Sequence, residues 1–324
     1  MSGGYVNKSY DIDLSSGEVR DLPIDPRDRD LYLGGKGLAT RLLHDHTRPG
    51  LDPFDEEMVL IFSTGPMTGT AAPQSNRFVV TTKSPLTGGI GTSTCGGNFA
   101  TKLKKAGVDH VLVRGKAKKP VYIEITEAGA VIKDASHLWS KGTQETQALL
   151  PKAFGKAVIG PAGENGVRFA SIVSEERVAG RCGTGAVMGK KNLKAIIANG
   201  NRKIPIDDPE SFKKLQKKMT EFLRAHPMTG GKLPDLGTAN IVNTAAGHNI
   251  LPVNNFQRGR DKRAFDISGE ELAREHLKKR VGCASCPIIC GRGIEMIRPS
   301  DGEPGDGEGE PELTKGPEYE SIAL

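Results

Sequence analysis

Cys283, Cys286 and Cys290 stand within eight positions of one another, in the spacing C-x2-C-x3-C. A chain with that stretch has to bring it round as a loop, because thiolates so close together suit one shared metal centre. Soft sulfur ligands select iron–sulfur clusters or zinc. Structural zinc sites usually take two C-x2-C knuckles or a Cys/His mixture. No second knuckle or paired histidine lies within reach in this sequence, which favours iron–sulfur. Chance clustering of buried thiols is the bland alternative. The order also reverses the C-x3-C-x2-C of radical enzymes that use S-adenosylmethionine, which argues against that class. Three thiolates leave a four-iron site one ligand short, and Cys95, Cys182 or a residue outside this chain is open as the fourth.

At 324 residues the chain suits about two domains. Its 41 glycines are many, and glycine at that density marks tight turns or backbone lying against a ligand. With 45 Lys and Arg against 39 Asp and Glu the formal charge is +6, which fits an anionic ligand, an acidic partner or a plain solvated surface. No dense basic tract with interleaved aromatics occurs, so nucleic-acid binding is not expected. The longest apolar run, residues 58–62, is far short of a membrane span. The first residues lack the basic-then-apolar layout of a signal peptide. A cytoplasmic location with reduced thiols is the expectation.

Residues 1–204 read as strands with a few helices. Segments 5–14 and 18–24 alternate around Ser16-Gly17 as a hairpin. Further strands are expected at 59–63, 77–83, 110–114, 121–126, 130–134, 157–160, 169–174 and 194–198, with helices near 98–106 and 143–150. From residue 205 the periodicity turns helical. Asp208 and Pro209 open a helix carrying Leu215, Met219 and Phe222. Ser268-Gly269-Glu270-Glu271 is a capping box for another, expected to run on past Leu277 and deliver the chain to Cys283. Residues 298–317 are Pro, Gly and acid, read as a loop, and 318–324 as the start of a helix. The whole is an α+β chain with domains at 1–204 and 205–324.

Two glycine-rich loops hold the other chemistry. One runs through Pro85-Leu86-Thr87-Gly88-Gly89 to Ser93-Thr94-Cys95-Gly96-Gly97; the second is Gly180-Arg181-Cys182-Gly183-Thr184-Gly185. Neither matches G-x-x-x-x-G-K-[ST] or G-x-G-x-x-G. Each nevertheless pairs glycines with an arginine, Arg77 and Arg181, and backbone N–H groups with a guanidinium suit a phosphate. Structural turns are an equal reading by composition alone. His44 and His46 point to different helix faces and read as solvated surface. Glu318, in Gly316-Pro317-Glu318-Tyr319-Glu320, is by itself a helix-start acid.

Taken in order, several segments resemble the aldehyde ferredoxin oxidoreductase family of tungsten enzymes. They are Tyr32-Leu33-Gly34-Gly35-Lys36-Gly37-Leu38, Ser63-Thr64-Gly65-Pro66-Met67-Thr68-Gly69-Thr70, and Thr82-Lys83-Ser84-Pro85-Leu86-Thr87-Gly88. The run from Ala179 through Gly189, Leu251-Pro252-Val253-Asn254-Asn255-Phe256, the cysteine run and Gly316-Pro317-Glu318-Tyr319-Glu320 complete the match. The resemblance implies an N-terminal domain of two β-sheets that forms a base under a tungsten (or molybdenum) bis-pterin, then an incomplete, mostly helical domain. It implies a [4Fe-4S] cluster on Cys283, Cys286 and Cys290, and pterin contacts from Arg77 and Arg181. It also implies a phosphate and magnesium region lined by Thr94, Gly96, Cys182 and Thr184, and Glu318 as a catalytic acid or base. Thr94 stands where the family commonly has asparagine.

The activity so implied is oxidation of a small aldehyde to its carboxylic acid, with electrons passing to ferredoxin or an electron-transfer subunit. Family members run to about twice this length, and the remainder carries the fourth cluster cysteine and a catalytic histidine. A separate chain supplying that half, or a homo-oligomer, is compatible with the sequence. The alternatives are a split-gene subunit, an inactive fragment, or a relative acting on aromatic acyl thioesters.

Overall fold

The structure, a computed structural model, describes residues 3–297 and 311–319. Its chain separates into two compact units, Met1–Phe212 and Lys213–Leu324. Six strands form the first half of the leading unit: β1 (Ser9–Asp13), β2 (Glu18–Asp21), β3 (Leu60–Thr64), β4 (Phe78–Lys83), β5 (Ile90–Cys95) and β6 (His110–Arg114). They make one mixed sheet in the order β2-β1-β6-β3-β4-β5, with β1 and β6 parallel and every other pair antiparallel.

Six more strands follow: β7 (Val121–Thr126), β8 (Gly129–Asp134), β9 (Gly155–Val158), β10 (Ile172–Ser174), β11 (Arg177–Ala179) and β12 (Leu193–Asn199). Their order, from one edge, is β8-β7-β12-β9-β10-β11, and β7 and β12 are the parallel pair. The second sheet therefore repeats the first strand for strand. A helix precedes the sixth strand in each, Phe99–Lys105 before β6 and Thr184–Lys190 before β12.

One apolar core serves both sheets, running from Ile12, Phe62, Phe78 and Phe99 to Ile123, Val187 and Ile196. The Phe99 ring stands edge-on to Phe78 at 4.9 Å and to Phe62 at 6.0 Å between centroids. Truncating any one of the three to alanine removes about 3–5 kcal/mol. Ser9, His110, Ser63, Val79 and Thr94 form a transverse row across the first sheet. Ser63 Oγ lies 2.7 Å from His110 Nδ1. Next to them Lys104 and Asp109 form a buried ion pair, and Asp109 also accepts the N–H groups of Val6 (3.1 Å) and Asn7 (2.9 Å).

The second unit begins within the helix Pro209–Ala225, which starts at Asp208, whose carboxylate accepts from Ser211 N at 2.9 Å. Its Leu215, Met219 and Phe222 are exposed, and only Leu223 is buried. The helix expected to reach Cys283 stops at Glu275, and residues Leu277–Val281 form a strand, β13. Ser268 Oγ caps Glu271 N at 3.2 Å, but the Glu271 carboxylate turns to Arg274 instead of closing the box. β13 pairs with β14 (Gly291–Ile297), and β14 with β15 (Pro311–Lys315), in a three-stranded antiparallel sheet. Nothing local in Leu277-Lys278-Lys279-Arg280-Val281 forbids helix; its partner 14 residues on decides, so tertiary pairing overrides propensity. β15 likewise corrects part of the expected loop at 298–317; residues 298–310 of that loop, and the helix expected beyond Tyr319, lie outside the described residues.

Two outcomes follow from this packing. A β-carbon on Gly189 would stand 1.9 Å from Gly163 O, whereas one on Gly142 meets nothing within 4 Å. Gly189→Ala should cost about 2–3 kcal/mol in denaturant unfolding and Gly142→Ala less than about 0.5 kcal/mol. Equal effects would contradict the close helix contact. Burial, reinforced by the Lys104 ammonium and opposed by Asp109, holds the His110 pKa down to about 4, against 6.5 for the unperturbed side chain. The unfolded chain takes up that proton first, so stability present above pH 6.5 drains as the pH falls toward 4. The loss is about 3 kcal/mol. Urea midpoints across that range should show the slope, and His110→Asn should flatten it.

Candidate cofactor site

Each sheet passes from its fifth strand through a short loop into a helix, at residues 96–98 after β5 and 180–183 after β11. β5 and β11 are the edge strands that lie against each other. Each loop is tied to the opposite sheet. Arg181 N donates to Ser93 Oγ at 3.1 Å, and Cys182 Sγ lies 3.8 Å from Thr92 O as its donor. In return Asn98 Nδ2 donates to Glu175 Oε1 at 2.6 Å.

The approach leaves no room for side chains. A β-carbon on Gly91 would stand 2.8 Å from that of Cys182, and one on Gly97 would stand 2.6 Å from Ser174 Oγ. Cys182 is held left-handed at φ 65°, an uncommon state for a residue other than glycine.

The residues expected from the sequence fall around this junction. Phe78 pairs with Cys95, which puts Arg77 level with Gly96 at the end of β5. The turn before Arg77 is built by Thr68 Oγ1, donating to Ser75 O at 3.2 Å, and by Asn76 Oδ1, accepting from Gly69 N at 2.7 Å. Thr94 pairs with Val79 and is exposed, while Ser93 and Cys95 on the opposite face of β5 are buried. Arg77 and Arg181 are exposed, and among the described residues neither guanidinium has a hydrogen bond or ion pair. Thr184 is fully buried behind the loop, and among the described residues neither its Oγ1 nor Ser174 Oγ finds a hydrogen-bond partner. Arg77, Thr94, Gly96, Arg181 and Cys182 are thus brought to one strand, with an orphaned hydroxyl behind them. Unpaired guanidiniums beside close-approaching backbone suit a large phosphate-bearing ligand.

In the second unit Cys283, Cys286 and Cys290 occupy the loop 282–290, closed by the Val281–Gly291 pair of β13 and β14. Cys286 N donates to Cys283 O at 3.1 Å, and Ser285 and Ile289 are left-handed at φ 57° and 51°. The three thiols are half-buried. They do not converge: among the described residues no three His, Cys, Asp or Glu side chains are placed to hold a metal ion. In kind the donor set fits an iron–sulfur cluster, with three soft thiols on one short loop. A second observation agrees with an anionic centre there. Arg292, two residues past Cys290, is buried with its Nε unpartnered. Sequence reasoning passed over Arg292; its one signal is a charged residue immediately after Cys290-Gly291.

Glu318 follows β15 and pairs with Lys315 at 2.7 Å, while Tyr319 N donates to Thr238 Oγ1 at 3.0 Å. Asn254, Asn255 and Phe256 are left-handed in succession, at φ 51°, 53° and 64°. Together with Arg263 and Asp266 they line a cavity of about 540 Å³. Strain in three adjacent non-glycine residues is typical of functional loops.

Two interlocked six-stranded sheets followed by a helical region with a small sheet define an α+β oxidoreductase architecture. The active-site complex of benzoyl coenzyme A reductase with 1,5-dienoyl-CoA shares it at a TM-score of 0.80 and 31% identity, over 94% of this chain and 48% of that one. The chain belongs to the aldehyde ferredoxin oxidoreductase family: the family's N-terminal domain matches residues 9–200, and its domains 2 and 3 match residues 214–324. The tungsten-containing aldehyde ferredoxin oxidoreductase of Pyrococcus horikoshii is 43% identical over 98% of this chain and 51% of that protein. Its counterpart from Pyrococcus furiosus is 44% identical over 96% of this chain and 50% of that protein. The chain therefore spans about half the length of the curated relatives it matches. No helix among the described residues is long and apolar enough to cross a membrane.

Proposed function

We propose that this chain forms the cofactor-bearing N-terminal part of an oxidoreductase that converts aldehydes to carboxylic acids at a tungsten (or molybdenum) bis-pterin. Its electrons would pass through a [4Fe-4S] cluster to ferredoxin. The observation that carries the reading is the meeting of two glycine loops at β5 with two unpartnered guanidiniums, Arg77 and Arg181, beside them.

When bound, the cofactor supplies a two-electron oxidation, RCHO + H2O → RCOOH + 2 e− + 2 H+. Arg77 and Arg181 bind the pterin phosphates through charge-assisted hydrogen bonds. Thr94 and Cys182 line the phosphate and magnesium region, Gly96 lets the ligand come close to backbone, and Thr184 backs the loop with its buried hydroxyl. Glu318 takes up a proton released in the reaction, its carboxylate held in place by Lys315. Cys283, Cys286 and Cys290 hold the cluster. Its fourth ligand comes from sequence outside this chain, because Cys95 is sealed in the apolar core and Cys182 belongs to the pterin loop.

Substrate class is the point where a second reading has support. The benzoyl coenzyme A reductase fold matches at 31% identity, so an aromatic acyl thioester is the runner-up. The higher identity to the aldehyde enzymes, 43% and 44%, favours aldehydes.

Anaerobic expression with tungstate, followed by metal and pterin analysis, tests the proposal. Arg77→Ala with Arg181→Ala should lower pterin and tungsten content about tenfold or more, the loss of two charge-assisted contacts, without changing the circular dichroism. A folded chain that takes up no tungsten, molybdenum or pterin, even alongside the sequence that completes its relatives, sinks it. In a preparation that oxidises aldehydes, Glu318→Gln should slow turnover by about 10²–10⁴, the usual worth of a positioned acid–base group. An unchanged rate would remove Glu318 from the mechanism.

A further inference from the structure

Arg292 carries a charge into the interior, and among the described residues no carboxylate pairs with it. It is 1% exposed and the bulkiest of the fully buried side chains. Nη1 donates to Asp235 O at 2.7 Å, and Nη2 donates to Ile289 O at 3.0 Å and to Leu233 O at 3.4 Å. Nε, also buried, reaches no acceptor. The Asp235 carboxylate pairs with the exposed Arg280 at 2.7 Å. Carbonyl dipoles solvate the guanidinium but do not neutralise it, and a buried ion without a counter-charge is destabilising. Of the other buried cations, Lys104 is matched by Asp109 and Lys194 by Glu164 at 2.5 Å, while Lys191, like Arg292, rests on backbone carbonyls. Arg292 differs from Lys191 in keeping one buried N–H without an acceptor among the described residues, and it holds the loop that carries three cysteines through Ile289 O.

We propose that Arg292 is the internal counter-charge of the cluster held by Cys283, Cys286 and Cys290, and the clamp on its ligand loop. This rests on the cluster reading above. A thiolate-ligated cluster is anionic and gains a further negative charge on reduction. A fixed cation beside it favours the reduced form and so raises its potential. The clamp is the fork of Arg292, which joins Ile289 O, inside the ligand loop, to Asp235 O in the chain alongside. The Nε–H is left without an acceptor among the described residues. Arg292 is a positioning residue; it touches no reacting atom.

The test uses the 324-residue chain, reconstituted anaerobically with ferrous iron, sulfide and excess small thiol to complete the fourth iron. Iron per chain, the reduction potential from an EPR-monitored titration, and iron release to a chelator are compared among variants. Arg292→Gln keeps amide donors but loses the charge, and should shift the one-electron equilibrium about tenfold, or about 59 mV, toward the oxidised form. Arg292→Lys keeps the charge but cannot span both carbonyls. It should hold the potential within about threefold of wild type in that equilibrium while releasing iron at least about threefold faster.

A Gln variant with wild-type potential overturns the counter-charge, and a Lys variant that releases iron as slowly as wild type overturns the clamp. If Arg292→Gln does not fold, the Lys variant still decides, since a tenfold potential shift there contradicts the proposal. A wild-type chain that binds no more iron than Cys283→Ser fails earlier, at the cluster reading itself.

Discussion

Gly91 has space for a hydrogen and little else, because a β-carbon there would stand 2.8 Å from that of Cys182. Gly97 is in the same position against Ser174 of the other sheet, with 2.6 Å to its hydroxyl. These two close approaches lock the tandem sheets at their fifth strands. They fix where the loops after β5 and β11 sit, and they leave the arginines next to those loops facing outward with nothing to bind. A larger residue at either glycine would push the loops apart and lose the convergence on which any shared ligand depends.

Charge is handled differently inside and at the junction. Within the leading unit the buried lysines are matched: Lys104 by Asp109, Lys194 by Glu164, and Lys191 by the carbonyls of Glu56 and Gly115, each at 3.1 Å. Burial still lowers the Lys191 pKa to about 8. Those pairs stabilise the fold only in part, since desolvation offsets much of their attraction. Arg77 and Arg181 carry no such obligation. A fold that satisfies its buried cations and leaves two surface guanidiniums unpaired beside side-chain-free backbone is disposed toward a polyanion.

The elements that sequence made legible were those with strong alternation. β6 (His110–Arg114) and β7 (Val121–Thr126) were read to the residue because they are rich in branched apolar side chains on buried positions. β5 was read as part of a glycine loop. Ile90-Gly91-Thr92-Ser93-Thr94-Cys95 has one large apolar residue, and its strand character comes from pairing with β4. The tandem repeat is illegible in the sequence for a related reason: the two sheets share strand order, whereas at their junction the common letters are only Cys95-Gly96 and Cys182-Gly183. β13 was lost to a helix because only β14 reveals it. At the site, arginine–glycine combinations and the cysteine spacing were visible as chemistry. Arg292 was not, since a charge in a strand reads as surface until its burial is seen.

Placing the heavy atom is the most direct test that the interlocked loops are a cofactor base. An anomalous-scattering map recorded at the tungsten edge, from crystals of the metal-loaded protein, locates it without assumptions about mechanism. The prediction is a single strong peak against the end of β5, on the side that carries Arg77 and Thr94 and within reach of Arg181. A metal-loaded crystal whose peak lies away from that junction, with both arginines still open to solvent, would contradict it.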